Sequence, residues 1–179
     1  MLKGLDIDFE VDTRNNFEEC FSSDVPFDKV PELMSEGKSL GFHRPLVQGE
    51  ILITADTMVI LPPDGTHPGE ILGKPRDRED ACRMLRDLSG RRHHVTTAVT
   101  LRSTEKKETF TVTTEVWFKS LSEDEIAYYV DTYKPFDKAG AYAIQEWIGH
   151  IGITRIEGSY FNVVGFPVQR VYEALKRFV

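Results

Sequence analysis

The sequence predicts an α/β protein with a mixed sheet and flanking helices, folded as two lobes around a central cleft. Stretches with the apolar pattern of strands are interleaved with stretches that have the spacing of amphipathic helices. The chain of 179 residues is long enough for one domain, or for one domain folded as two lobes. Neither an internal repeat nor a low-complexity tract divides it, so we treat residues 1–179 as a single domain.

Four stretches have the apolar pattern of β-strands. Residues 5–11 alternate apolar and acidic side chains, which predicts a half-buried strand. Residues 51–61 are almost all apolar or β-branched, which is typical of a strand buried on both faces. Residues 93–103 and 109–118 also have strand character, and apolar side chains recur along one face of the second. These four stretches supply the predicted sheet.

Amphipathic spacing and capping residues locate the helices. The stretches with helical spacing are residues 31–40, 76–90, 123–132 and 166–178. Ser122 and Glu125 have the spacing of a capping box at the start of the third, and Gly90 provides a stop for the second. Residues 65–75 contain three glycines and two prolines, so we expect a loop there.

Composition and charge exclude several classes of function. The 22 Lys and Arg residues are outnumbered by 29 Asp and Glu residues, and the net charge of −7 argues against nucleic acid as the main partner. No apolar run reaches the roughly 18 residues of a membrane-spanning helix, and the first residues lack a signal-peptide pattern. Cys20 and Cys82 have no metal-site spacing. We therefore expect a cytoplasmic protein with free thiols and no membrane partner.

Asp56 lies in the middle of the apolar stretch LITADTMVIL, residues 52–61. A carboxylate is costly to bury unless an opposite charge or hydrogen bonds compensate it. Because the carboxyl ends of strands in α/β sheets commonly face ligands, Asp56 is a candidate catalytic residue. The alternative is an aspartate at a strand end that caps the following turn, and the residues alone leave both interpretations open.

Three further stretches contain candidate site residues. Lys74 lies in LGKP, a stiff turn that suits a phosphate or acid partner, although a lysine in such a turn is more often a solvated surface residue. Gln145 ends FDKAGAYAIQ, and its amide could read the donor and acceptor edges of a base. The alternative for that stretch is a tight strand crossing built from its small residues. Residues 157–167 predict a structured loop that leads into the last helix.

Taken in order, these segments resemble the Maf family of nucleoside triphosphate pyrophosphatases. The resemblance runs from about residue 50 to the C-terminus, on the strings ADTMVI, GEILGKPRDREDACRMLRDLSGRRHHVTTAVTL, TTEVWFKSLSEDEIAYYV, PFDKAGAYAIQ and IEGSYFNVVGFPV. It implies a Maf- and ITPase-like fold that hydrolyses a nucleoside triphosphate to the monophosphate and pyrophosphate, with a divalent metal cation, magnesium or manganese, as cofactor. The combination of ADT and IQ is similar to the branch that acts on dTTP and UTP. The resemblance is also compatible with a homodimer.

The resemblance implies a role for each motif residue of this matched region. Asp56 is in the position of the proton acceptor, and Lys74 is in the position of a substrate-site lysine. Thr57 and Gln145 match the positions that are linked to selection of the base. We expect a metal ion, Lys74 and the substrate to supply the charge opposite to Asp56.

The upstream part of the match is thinner. It implies that Glu19 is the metal-binding acid, with its neighbour Glu18 as the alternative. It also places Lys38 at a substrate-site lysine of a short helix, a match that Pro31 and Gly37 weaken because neither favours a helix interior.

One departure from the family concerns the N-terminus. Family members open with a serine-rich S-x-S-P-R-R loop that looks like the cradle for the triphosphate, and this chain begins after it. We therefore interpret residues 1–179 as a Maf-like domain that is N-terminally truncated relative to the family. A helix N-terminus with arginines suits an anionic triphosphate. The alternative function is thus a catalytically impaired nucleotide-binding or regulatory protein linked to septum formation and cell division.

Overall fold

The computed structural model describes residues 1–22, 24–65 and 68–178. The strands in that part of the chain are β1 (Leu52–Leu61), β2 (Glu70–Leu72), β3 (Arg92–Arg102), β4 (Lys107–Phe118) and β5 (Ile153–Glu157). The helices there are α1 (Val30–Leu40), α2 (Arg78–Leu88), α3 (Glu123–Tyr133), α4 (Trp147–Gly152), α5 (Tyr160–Val163) and α6 (Val168–Leu175). Short 3-10 turns form at Leu2–Leu5 and Ala139–Ala141.

The five strands form one sheet in the order β2-β1-β3-β4-β5. Strands β1 and β2 pair antiparallel with Val59 opposite Leu72, and β4 and β5 pair antiparallel with Val116 opposite Ile156. A short turn joins β3 to β4, as only antiparallel neighbours allow. The predicted α/β class, a sheet with flanking helices, is confirmed, and both of these strand pairs are antiparallel.

The chain divides into two compact units. The first contains residues 1–57, 97–112 and 165–179, and the second contains residues 58–96 and 113–164. Because these boundaries fall inside β1, β3 and β4, each of these three strands contributes residues to both units.

The core of the first unit forms between α6 and the strands. The fully buried side chains there are Val99, Leu101, Val171 and Ala174, and Ile53 and Phe110 pack against them. Most of the stripe that the sequence predicts for the last helix is present, since Val171 and Leu175 belong to this cluster and Phe178 packs against it. Val168 is also buried, whereas the predicted Tyr172 is 43% exposed.

The second unit has the larger apolar core, to which α2 and α3 contribute. The predicted stripe of α2 is confirmed, since Ala81, Met84, Leu85 and Leu88 are all buried. At the start of α3, Ser122 and Glu125 form the predicted capping box, with the Ser122 hydroxyl accepting from the Glu125 amide and the Glu125 carboxylate accepting from the Ser122 amide.

Two predicted elements are wrong. Residues 5–11 form no strand, and Phe9 and Val11 are 47% and 79% exposed, because an alternating pattern needs a partner strand as well as an apolar face. The predicted loop 65–75 contains β2, a strand of only three residues. Thr66 and His67 of that loop lie outside the described residues.

The segment from 147 to 164 is more structured than the sequence predicts. Helix α4 and strand β5 were not expected, and α5 forms within the predicted loop 157–167. Strand β5 is a short edge strand with three exposed polar residues, so it lacks the apolar run by which buried strands are identified. Within the described ranges, no helix has both the length and the hydropathy needed to cross a membrane.

Candidate active site

Asp56 lies on β1 in the first unit, and its charge is compensated by a lysine. The ammonium Nζ of Lys38, in the last turn of α1, donates to Asp56 Oδ1 at 2.5 Å. The Asp56 side chain is only 9% exposed, so this ion pair is largely removed from water. Lys38 is thus a counter-charge of Asp56 that the sequence did not predict, and the expected contributions of a metal ion, Lys74 and the substrate stay predictions.

The same ammonium also binds a second carboxylate. Lys38 Nζ lies 3.0 Å from Oε1 of Glu19, whose side chain is 57% exposed. Although burial alone would lower the pKa of Lys38, the hydrogen bonds and charges of Asp56 and Glu19 raise it above the ordinary value. Lys38 therefore remains a cation, and the carboxylates of Asp56 and Glu19 both lie beside its ammonium.

Reciprocal hydrogen bonds between α1 and β1 fix the position of Lys38. The Ser35 hydroxyl donates to the Thr54 carbonyl at 3.1 Å, and the Thr54 hydroxyl donates to the Ser35 carbonyl at 2.8 Å. Ser35 also bonds the Thr100 hydroxyl of β3 at 2.9 Å. Because Ser35 is one helical turn before Lys38 and Thr54 is two residues before Asp56, these bonds align the two charged side chains.

The hydroxyl of Thr57 is occupied within the protein. It donates to the carbonyl of Gly165 at 3.2 Å and lies 2.9 Å from the hydroxyl of Thr97 on β3. These contacts tie β1 to β3 and to the segment that precedes α6. The described contacts of Thr57 are thus structural, and its predicted role in base selection stays a prediction.

Lys74 and Gln145 lie in the second unit, where a backbone contact links the segments that carry them. Lys74 is in the loop between β2 and α2, and the carbonyl of its neighbour Gly73 accepts from the amide of Gly140 at 3.0 Å. Gly140 has φ +68°, and a Cβ there would lie 2.9 Å from Val59. Glycine thus allows the close approach of the 137–146 segment to Val59 of β1, where the Gly140 amide also bonds the loop that carries Lys74.

Gln145 is exposed, whereas the residues before it are buried. Tyr142 is buried, and its hydroxyl pairs with Nε2 of the fully buried His93 at 2.8 Å. Gln145 lines a cavity of about 330 Å³, whose walls include Ile144, Ile153 and Tyr160. The amide of Gln145 therefore reaches a cavity with both apolar and aromatic walls.

The structure brings together Lys38, Asp56 and Glu19 in the first unit, with Thr57 adjacent in sequence, and places Lys74 and Gln145 in the second unit. In the described residues, no cluster of three or more His, Cys, Asp or Glu side chains could hold a metal ion by itself. Two carboxylates that converge on one ammonium nevertheless fit a hard divalent cation such as magnesium, which commonly takes one or two carboxylates together with phosphate oxygens and water.

Comparison with known proteins identifies the family. The chain belongs to the Maf family, since the model described as Maf-like protein matches residues 1–178. A dTTP/UTP pyrophosphatase of Bacteroides thetaiotaomicron is 45% identical over 177 residues, which cover 99% of this chain and 89% of the relative.

Relatives from two other genera carry the same name. A dTTP/UTP pyrophosphatase of Porphyromonas gingivalis is 45% identical over 180 residues, which cover 99% of this chain and 87% of the relative. One of Flavobacterium psychrophilum is 46% identical over 170 residues, which cover 95% of this chain and 84% of the relative. The family resemblance seen in the sequence is thereby confirmed.

Proposed function

We propose that this protein hydrolyses UTP and dTTP to the nucleoside monophosphate and pyrophosphate. The observation that carries the proposal is the cluster of Asp56, Lys38 and Glu19, a nearly buried carboxylate held beside a cation and a second carboxylate. The names of the similar proteins from Bacteroides, Porphyromonas and Flavobacterium support the choice of substrate.

Asp56 is the proposed proton acceptor. Its carboxylate takes a proton from the attacking water, the water oxygen bonds to the α-phosphorus, and the bond from the α-phosphorus to the bridging oxygen breaks so that pyrophosphate leaves. Lys38 holds the carboxylate in place through its 2.5 Å hydrogen bond. Because Lys38 is also the proposed substrate-site lysine, we expect it to exchange part of this contact for a phosphate oxygen when substrate binds.

A divalent cation, magnesium or manganese, is the proposed cofactor. Glu19 and Asp56 are the residues that would hold it, together with substrate oxygens. When bound, such a cation offsets negative charge on the phosphates and lowers the pKa of a bound water. Glu19 suits this role because its side chain is 57% exposed and so can reorient toward a ligand.

Lys74, Gln145 and Thr57 are further proposed substrate-binding residues. Lys74 offers a mobile cation in a glycine-containing turn, which suits the phosphates. Gln145 and Thr57 are proposed to select the base, and the amide of Gln145 has both the donor and the acceptor that the imide edge of uracil or thymine requires. The cytoplasmic location and the homodimer stay predictions.

The proposed function is tested by measuring pyrophosphate release from a panel of nucleoside triphosphates with magnesium or manganese. We expect UTP and dTTP to be the best substrates and Asp56→Asn to lose activity while its thermal unfolding stays cooperative. Asp8→Asn, which changes an exposed carboxylate of the same unit, is the matched control and should keep full activity. Near-normal turnover by Asp56→Asn would remove Asp56 from the mechanism. Binding of UTP without pyrophosphate release would instead favour the nucleotide-binding or regulatory function.

A further inference from the structure

Tyr129 contacts the chain on both sides of Gln145. Its hydroxyl accepts from the backbone amide of Ala143 at 3.2 Å and donates to Oε2 of Glu146 at 2.5 Å. The first contact lies two residues before Gln145, and the second lies one residue after it. A single hydroxyl of α3 therefore bridges the short segment that carries Gln145.

The Tyr129 hydroxyl is well held. Tyr129 has no exposed surface, and its ring stacks on that of Tyr133 with the centroids 5.1 Å apart. Burial, and then the hydrogen bond to Glu146, raise the pKa of Tyr129 above its ordinary value, so the hydroxyl keeps its proton and remains a donor. The helix that carries it begins at the Ser122 capping box.

The charge of Glu146 is compensated on its other oxygen. Oε1 of Glu146 lies 3.7 Å from Nζ of Lys138, which also binds Oδ1 of Asp137 at 2.9 Å. The adjacent Asp137 and Lys138 of the FDK motif thus help to balance the carboxylate that Tyr129 binds. The hydrogen bond from the Tyr129 hydroxyl to the charged Glu146 holds the end of the segment after Gln145 more firmly than a neutral pair would, and the neutral bond from the Ala143 amide holds the other end.

The two hydrogen bonds of Tyr129 affect where the exposed side-chain amide of Gln145 is placed. That side chain lines the cavity of about 330 Å³, so its usefulness for recognition depends on where the backbone places it. Hydrogen-bonded discrimination between similar bases requires donors and acceptors held in a fixed position, and displacement of a positioning group by about 1 Å can cost a large factor in rate.

We propose that Tyr129 is a positioning residue that fixes Gln145 for recognition of a uracil or thymine base by bonding both Ala143 and Glu146. This inference rests on the proposed function, because it concerns selection of the base at the same site. Tyr129 acts through Gln145 and does not itself touch the substrate.

The test compares Tyr129→Phe with Tyr142→Phe. Both variants remove one buried hydroxyl and keep the ring, but the hydroxyl of Tyr142 bonds His93 and does not flank Gln145 on both sides. The readout is the ratio of kcat/KM for UTP to kcat/KM for CTP. We expect this ratio to fall about tenfold in Tyr129→Phe, the size of one lost discriminating hydrogen bond, and to stay within about twofold in Tyr142→Phe.

Two further comparisons separate positioning from a loss of stability. Glu146→Gln keeps an acceptor for the Tyr129 hydroxyl and should retain the UTP-to-CTP ratio, whereas Glu146→Ala should lower it. Tyr129→Phe combined with Gln145→Ala should have the same ratio as Gln145→Ala alone, because a residue that acts through Gln145 has no effect once Gln145 is gone. An unchanged ratio in Tyr129→Phe, an equal fall in Tyr142→Phe, or additive effects in the double variant would overturn the proposal.

A measurement without turnover distinguishes failure of this inference from failure of the proposed function. Backbone ¹⁵N relaxation reports the order of Gln145 directly, and we expect its order parameter to fall from about 0.85 to below about 0.6 in Tyr129→Phe but not in Tyr142→Phe. No pyrophosphate release by the wild-type protein from any triphosphate would refute the proposed function. An unchanged order parameter in Tyr129→Phe would refute the inference, whatever the activity.

Discussion

The ammonium of Lys38 lies between two carboxylates, 2.5 Å from Asp56 and 3.0 Å from Glu19. Asp56 is nearly buried, whereas Lys38 and Glu19 are partly exposed. Lys38 therefore has two consequences for this unit: it stabilises a carboxylate that is costly to bury, and it sets the direction in which Asp56 points. The first consequence can be measured without any substrate.

Replacing Lys38 by methionine should destabilise the protein. The substitution keeps most of the apolar stem and leaves Asp56 without its ammonium, so we expect the free energy of unfolding to fall by about 1–3 kcal/mol, discounted for the exposure of Lys38. Urea denaturation at neutral pH measures this change.

The control for this prediction is a lysine in an exposed pair. Lys29→Met removes a pair with Glu32 in which both side chains are largely exposed, and we expect a change below about 0.5 kcal/mol. Adding Asp56→Asn to Lys38→Met should recover part of the loss, since the nearly buried negative charge is removed. Equal effects of Lys38→Met and Lys29→Met would contradict the interpretation of the Lys38–Asp56 pair.

Gly140 should not tolerate a side chain. Its φ of +68° disfavours other residues, and an added Cβ would lie 2.9 Å from both methyl groups of Val59. We expect Gly140→Ala to lower the free energy of unfolding by about 2–4 kcal/mol, the sum of backbone strain and overpacking. Gly49→Ala isolates the backbone part, because Gly49 has φ +83° and nothing within 4 Å, and it should cost only about 1–2 kcal/mol. Similar losses of stability in Gly140→Ala and Gly49→Ala would mean that Val59 moves away from the added Cβ at no cost in free energy.

His93 should make stability depend on pH. Burial, and then the neighbouring His94, lower the pKa of His93 to about 3 from its ordinary value of 6.5. Between these two pH values the unfolded chain binds a proton that the folded protein does not, so stability is lost as the pH falls through this window and is fully present above it.

The expected loss of stability corresponds to one proton that the unfolded chain binds at His93 and the folded protein does not. Between pH 6 and pH 4 we expect the free energy of unfolding to fall by about 2 kcal/mol more in the wild type than in His93→Gln, which keeps a partner for the Tyr142 hydroxyl and does not ionise. His150→Gln, a change at an exposed histidine, serves as the control. Parallel pH profiles for the wild type and His93→Gln would show that His93 is not neutral and buried in the folded protein.

The sequence predicts those features of the fold that depend on local patterns. The stripe of Ala81, Met84, Leu85 and Leu88 and the capping box at Ser122 are each contained within one helix, and both are present. By contrast, the alternation of residues 5–11 was misleading, because pairing of a strand depends on a partner elsewhere in the chain.

The contacts at the candidate site could be predicted only in part. Asp56 was identified by its improbable position in an apolar strand, and Lys38 only by the family resemblance. That Lys38 binds Asp56 depends on the Ser35–Thr54 hydrogen bonds, which join residues 19 positions apart. Tyr129 and Glu146 were missed because a tyrosine in an amphipathic helix is usually a core residue, and nothing in the local sequence shows what its hydroxyl bonds.

Turnover in ¹⁸O-labelled water tests most directly whether water attacks the α-phosphorus of UTP. We expect stoichiometric UMP and pyrophosphate, with one labelled oxygen in UMP and none in pyrophosphate, and no such products from Asp56→Asn. Label in pyrophosphate, or formation of UDP and phosphate, would contradict the proposed reaction.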